Sequence, residues 1–230
     1  MTDEVQYSQI NGLMYPEAYG ITGRLPAVIT HIRSPGAGQP DTLRQFAYTT
    51  ENFLGYNGNF GDWDPDSDYI YTTLTDYQYG STETLSDGDT HVITERTYNN
   101  YHLQIAETVT RGSSVHQTLT TYYAQEGYFI DAQPPQFQMP ATQTTTWTDT
   151  SLPEGEQSRS EITLTEFDDQ GNPVRLKSPD GTTTVYEFYP AEGDGDNCPP
   201  ALNGFVRFLK SAVTTPRSSD YDDAPQQTKT

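Results

Sequence analysis

Apolar and polar positions alternate along most of the chain with the two-residue period of a β-strand. In residues 69–79 the alternation places Tyr69, Tyr71, Tyr77 and Tyr79 on one predicted face. The pattern predicts strands over 43–50, 69–79, 91–98, 103–110, 116–123, 142–148, 161–167 and 182–189. Because turn-forming residues separate most of these segments, we expect an all-β fold, an antiparallel meander of hairpins.

Three sequences are the clearest turn signals, at 86–89, 111–114 and 178–181, and each contains a glycine that can adopt the positive φ of a tight turn. No amphipathic helix is predicted. The best candidate, 204–212, spaces its apolar residues helically but amounts to only about two turns between prolines.

The organisation along the chain is predicted from where strand patterns start and stop. We expect residues 1–20 to be an N-terminal extension and 21–215 to be the β region, interrupted by a proline-rich loop near 132–140. Residues 216–230 carry few apolar groups, so we expect a disordered tail.

The amino-acid composition supports the prediction of β structure and limits the classes of molecule that the chain is expected to bind. Tyr, with 17 copies, supplies much of the apolar bulk of a chain that is only 33% hydrophobic, and aromatic residues pack well on a pleated surface. A net charge of −20 disfavours phosphate backbones and anionic membrane surfaces, so neither nucleic acid nor direct membrane insertion is expected. The acidity indicates solubility, with cation binding or a basic partner as the alternative.

Internal similarity is clearest at 164–189, which alternates three strands with a Phe-Asp-Asp-x-Gly-Asn turn and a Pro-Asp-Gly turn. Asp168 and Asp169 are expected to bond backbone amides of the first turn, and Gly171 and Gly181 to adopt the left-handed conformation. Two weaker copies are visible at 23–48 and 98–123.

This unit resembles the RHS or YD repeats, with Phe167 where Tyr is usual. The matching residues are Asp168, Gly171, Asn172, Pro179, Asp180 and Gly181. The non-repetitive segments 52–56, 189–193, 198–200 and 204–210 further resemble the shell-forming B component of bacterial Tc insecticidal toxin complexes. The likeness covers residues about 20–215.

The resemblance implies a role in virulence that is structural and not enzymatic. In that family, successive hairpins wind into a curved shell that encloses a toxic polypeptide before delivery. The chain is then expected to be a fragment of the shell wall, with other RHS or Tc toxin components and the enclosed polypeptide as partners. No Sec signal is visible, so we expect synthesis in the bacterial cytoplasm and release as part of a toxin complex. The alternative function is a carbohydrate- or protein-binding β module that uses Tyr-rich strand faces.

Candidate chemistry is sparse, and no cofactor is expected. Alternating carboxylates at Asp62, Asp64, Asp66 and Asp68 are spaced like the ligands of a calcium loop. The loop pattern fails at its glycine and glutamate positions, so a solvated acidic turn is the favoured interpretation and calcium the alternative.

The remaining candidates are interpreted as structural. His31, His91, His102 and His116 have no metal-binding spacing and are interpreted as surface or cross-strand side chains. Cys198 is the single cysteine and has no local base, so we interpret it as a packing or incidental thiol. Paired carboxylates for glycoside hydrolysis have no motif to locate them.

Overall fold

The fold is described from a computed structural model, which covers residues 1–14, 24–49, 75–87, 90–201, 203–220 and 224–230. In this part of the chain the regular structure consists of β-strands and one short 3-10 helix, Ile130–Ala132. The all-β prediction is therefore confirmed, and so is the prediction that 204–212 forms no helix.

Thirteen strands lie in the described ranges. They are β1 (Thr2–Met14), β2 (Arg24–Ser34), β3 (Thr42–Tyr48), β4 (Tyr79–Asp87), β5 (Thr90–Tyr98), β6 (Gln104–Arg111), β7 (Ser114–Tyr122), β8 (Pro140–Asp149), β9 (Ser158–Phe167), β10 (Pro173–Lys177), β11 (Thr183–Phe188), β12 (Leu209–Thr215) and β13 (Gln227–Lys229).

The strands form one sheet whose spatial order is the order of the sequence, from β1 to β13. Neighbouring strands pair antiparallel, as in the run of nine residue pairs from Tyr79↔Tyr98 to Asp87↔Thr90 between β4 and β5. Thr, Val and aromatic residues dominate these strands and suit a pleated surface. The predicted antiparallel meander is confirmed.

Most predicted strands match observed ones to within a few residues, but the strand predicted over 69–79 is wrong where it can be seen. Residues 75–76 form a turn, and β4 begins only at Tyr79. Tyr79 pairs with Tyr98, the last residue of β5, so residues before Tyr79 have no opposing strand on that side. Residues 69–74 lie outside the described part.

Several strands were not predicted. β1 lies in the segment expected to be an extension and pairs with β2. β12 overlaps the rejected helix candidate, and β13 lies within the tail for which the sequence predicts disorder. β13 has only three residues, and its pairing with β12 defines it as a strand.

The chain divides into two compact units. The first comprises Met1–Leu119, Glu126–Ala132 and Thr145–Ser160, and the second comprises Thr120–Gln125, Gln133–Thr144 and Glu161–Thr230. Among the described residues, the buried hydrophobic side chains are Tyr101 in the first unit and Cys198 in the second. The sheet thus leaves many large apolar side chains exposed. No helix in the described part is long and apolar enough to cross a membrane.

Candidate functional site: repeated turns and a polar groove

The turn between β9 and β10 is organised by one carboxylate. Asp168 Oδ1 accepts hydrogen bonds from the amides of Gln170 at 3.0 Å and Asn172 at 2.8 Å, and Oδ2 accepts one from Asn172 Nδ2 at 2.9 Å. Gly171 has the predicted positive φ of 76°. Asp168 supplies the side-chain bonds of the predicted pair, whereas Asp169 is exposed.

The turn between β5 and β6 repeats this arrangement. Asn99 Oδ1 accepts from the amides of Tyr101 and Leu103, both at 3.0 Å. His102, at the position equivalent to Gly171, has φ of 61°. In both turns the first residue donates its amide to the carbonyl four residues later, at 3.0 Å. The weak sequence copy at 98–123 thus begins with the same turn geometry as the clear unit.

The Pro-Asp-Gly turn shares this backbone pattern but uses a different side chain. The amide of Ser178 donates to the carbonyl of Thr182 at 2.9 Å, and Gly181 has φ of 87°. Asp180 Oδ1 accepts from the amide of Thr182 at 2.9 Å. That hydrogen bond holds the pKa of Asp180 below its usual range.

A contact that sequence reasoning missed joins the Asp168 turn to the segment 204–210. Asn172 Nδ2 donates to the carbonyl of Val206 at 3.2 Å, and Arg207 Nη2 donates to the carbonyl of Gln170 at 2.7 Å. Asn172 is only 3% exposed. The repeat motif and the non-repetitive segment therefore form one hydrogen-bonded site, although they are more than thirty residues apart.

Phe167, the motif residue before this turn, packs edge-on against Tyr123 with ring centroids 6.2 Å apart. The Tyr123 hydroxyl donates to the carbonyl of Thr165 at 3.2 Å and accepts from the amide of Phe167 at 3.3 Å. The aromatic position of the motif therefore anchors the end of β9.

Tyrosines cluster where β4 begins and β5 ends. The ring of Tyr79 stacks against those of Tyr77 and Tyr98, with centroids 6.0 Å and 5.0 Å away. The Tyr79 hydroxyl lies 3.1 Å from His102 Nδ1. Burial, with smaller contributions from Tyr98 and Tyr77, raises the pKa of Tyr79 to about 12. Tyr69 and Tyr71, predicted to share this face, lie outside the described residues.

A groove of about 300 Å³ opens around Gly80 on β4, and we call it the Gly80 groove. The residues that line it are mostly of polar type, although apolar atoms supply somewhat more of its surface than polar atoms do, and the residues with hydroxyl groups, apart from Tyr79, are Thr49, Ser81, Thr82 and Thr97. Thr49 follows β3 and is hydrogen-bonded to both backbone polar groups of Gly80, its N–H and its carbonyl. Its Oγ1 accepts the amide of Gly80 at 2.7 Å, and its own amide donates to the Gly80 carbonyl at 3.0 Å.

A row of charges crosses β3 to β6. Arg96 lies 2.9 Å from Glu107 and 3.4 Å from Glu83, and Arg44 lies 3.6 Å from Glu83. The side chains of Arg96 and Glu83 are 28% and 21% exposed. Since these residues occupy cross-strand positions, opposite charges alternate along the row.

The four histidines lie apart and take local roles. Three have hydrogen-bonding partners: His31 bonds to Asp3, His91 to Ser86 and His102 to Tyr79. The ring of His116 stacks on that of Trp147, whose centroid is 5.4 Å away. No cluster of three metal-ligating side chains occurs among the residues that the structure describes.

The calcium candidates Asp62, Asp64, Asp66 and Asp68 lie outside the described residues. Cys198 is 6% exposed, and its thiol lies 3.6 Å from the carbonyl of Pro199. The backbone packs tightly here, since a Cβ on Gly193 would lie 2.5 Å from the carbonyl oxygen of Cys198.

Comparison with family models, curated proteins and solved structures finds no match to this chain.

Proposed function

We propose that this chain is a non-enzymatic structural segment of an RHS-type toxin shell, which encloses a toxic polypeptide for delivery. Its partners in this proposal are other RHS or Tc toxin components and the enclosed polypeptide. The chain is synthesised in the bacterial cytoplasm and released as part of the complex. The repeated turns and the strict chain order of the strands support this proposal, because a wall can be extended one hairpin at a time.

The observation that carries the proposal is a set of exposed aliphatic side chains on one face of β9 to β11. Ile162 and Leu164 on β9 are 50% and 41% exposed, and Val185 on β11 is 46% exposed. Lys177 of β10 pairs with Leu164, and Arg175 pairs with Val185. Since 175 and 177 are two residues apart on one strand, all these side chains share a face.

These aliphatic groups are interleaved with the charged side chains of Glu166, Arg175 and Lys177, and we infer that this mixed, exposed face meets another protein. A wall segment requires such a surface, because its faces contact the contents or the neighbouring parts of the shell. An isolated soluble domain would instead bury this face beneath a second layer.

The test is assembly with the products of neighbouring reading frames. We expect the purified complex to hold a polypeptide that resists protease until the complex is dissociated. Leu164→Asp should abolish co-purification and expose that polypeptide, because a charge on this face opposes burial. The chain itself should still fold, since the position is exposed.

Glu166→Gln is the matched control, as Glu166 lies on the same face and strand and is also exposed. It should assemble like the unsubstituted chain. Full protection of the enclosed polypeptide by the Leu164→Asp variant would overturn the proposal. The same holds if the chain remains free beside all products of the locus.

A further inference from the structure

At Gly80, around which the groove opens, β4 and β5 lie unusually close together. A Cβ built on Gly80 would lie 2.5 Å from the backbone oxygen of Arg96, closer than real Cβ contacts come. β4 and β5 therefore approach each other in a way that only glycine permits. The two hydrogen bonds between Thr49 and Gly80 hold Gly80, the floor of the groove, in place. The groove is therefore preformed.

The lining favours a ligand with hydroxyl groups. Thr82 and Thr97 are half-buried in the groove, and threonine hydroxyls both donate and accept hydrogen bonds. Gln78 adds an amide that also does both. Vicinal hydroxyls of a sugar match such groups, because each sugar hydroxyl likewise donates and accepts.

The charge of the groove disfavours anionic ligands. Arg96 is already paired with Glu107 and Glu83, so its guanidinium is neutralised locally. The carboxylate of Glu95 then leaves the groove negative, which disfavours anionic ligands. The ring of Tyr79 is stacked against neighbouring tyrosines, so binding here depends on polar groups and not on an aromatic platform.

We propose that the Gly80 groove binds a neutral pyranose unit of a glycan through Thr82, Thr97 and Glu95. Glu95 accepts hydrogen bonds from two hydroxyls, and the threonines orient the ring. The volume of about 300 Å³ lies at the small end of ligand sites, which suits a single sugar unit or a short glycan end. This activity is independent of the shell proposal and uses a different part of the sheet.

The experiment is a titration of the ¹⁵N-labelled full chain with the methyl glycosides of glucose, galactose and mannose, and with glucuronate, followed by NMR. We expect saturable shifts at the amides of Thr82 and Thr97 with at least one neutral glycoside at millimolar concentration. Glucuronate should bind about tenfold more weakly, because Glu95 repels its carboxylate.

Thr82→Val and Glu95→Gln should each weaken binding by about tenfold. Thr84→Val is the matched control, since Thr84 lies two residues along β4 on the same face but outside the groove lining. It should bind like the unsubstituted chain, and unchanged spectra elsewhere show that each variant folds. The absence of saturable shifts with every neutral glycoside, or equal affinity in all three variants, would overturn the proposal.

Discussion

At the scale of single residues, the half-buried Asp168 organises the turn between β9 and β10. Its carboxylate accepts hydrogen bonds from two backbone amides and one side-chain amide of the turn. The amide side chain of Asn172 then reaches the carbonyl of Val206. One side chain thus connects the turn geometry to packing against a distant segment.

The prediction at this scale is that Asp168→Ala lowers the free energy of unfolding by about 1–2 kcal/mol, the usual cost of losing a side-chain cap and leaving amides unsatisfied. Asp169→Ala, an exposed neighbour of the same type, should change it by less than about 0.5 kcal/mol. Urea denaturation of the three proteins measures both changes. Equal effects of the two substitutions would show that the carboxylate bonds do not stabilise the turn.

At the scale of strands, pairs of opposite charges link neighbouring strands in the described part of the sheet, where few apolar side chains are buried. Arg96 sits between Glu83 and Glu107 on adjacent strands, and all three side chains are largely shielded from water. Shielding strengthens attraction between opposite charges. It also makes an unpaired carboxylate costly, and loss of Arg96 removes the partner of Glu107, whereas Glu83 keeps its ion pair with Arg44.

We therefore expect Arg96→Met to destabilise the chain by about 1–2 kcal/mol, less than for a fully buried pair and more than for an exposed one. Arg175→Met provides the control, because Arg175 and Glu166 are 49% and 58% exposed at 3.1 Å. That substitution should cost about 0.5 kcal/mol or less. Thermal unfolding at low and high salt measures the stability loss of both variants. Equal losses that do not depend on salt would contradict a stabilising role for the Arg96 ion pairs.

A strand or turn can be predicted from the sequence when the interactions that form it lie within that segment of the chain. The hairpin turn at 178–181 and the strands at 91–98 and 161–167 were predicted, because turn chemistry and period-two alternation are local properties. β13 was not predicted, since three polar residues become a strand only through pairing with β12.

The site was less predictable than the strands. Glycine is required at position 80 because β4 and β5 approach each other closely there. That approach depends on the register between the two strands, which no local sequence pattern gives. The link from Asn172 to Val206 likewise joins residues that no local pattern associates. Sequence reasoning identified Asp168 and Asn172 as motif residues but gave no signal of this contact.

At the scale of the whole molecule, the strands that the structure describes pair with their neighbours in the sequence. Stability in such arrays is approximately a sum of neighbour terms, so separate regions can open independently. The division into two compact units points the same way. We expect opening in one unit to leave the other largely unaffected.

The corresponding prediction concerns amide hydrogen exchange. Asp168→Ala should speed exchange in β9 to β11 by about tenfold, in line with the expected loss of stability. Exchange in β4 to β6 should stay unchanged. Mass spectrometry of peptic peptides distinguishes the regions, and a uniform acceleration across both would show that the sheet unfolds as one cooperative unit.

The neighbour-only pairing also affects how the chain can fold during synthesis. Each strand pairs with a strand adjacent to it in the sequence. Among the described strands, the longest interval is between β3 and β4, which are separated by residues 49–78. Pairing of sequence neighbours keeps these intervals short for a β protein, which favours fast folding. Growth of the sheet can keep pace with translation, with the newest strand always forming the open edge.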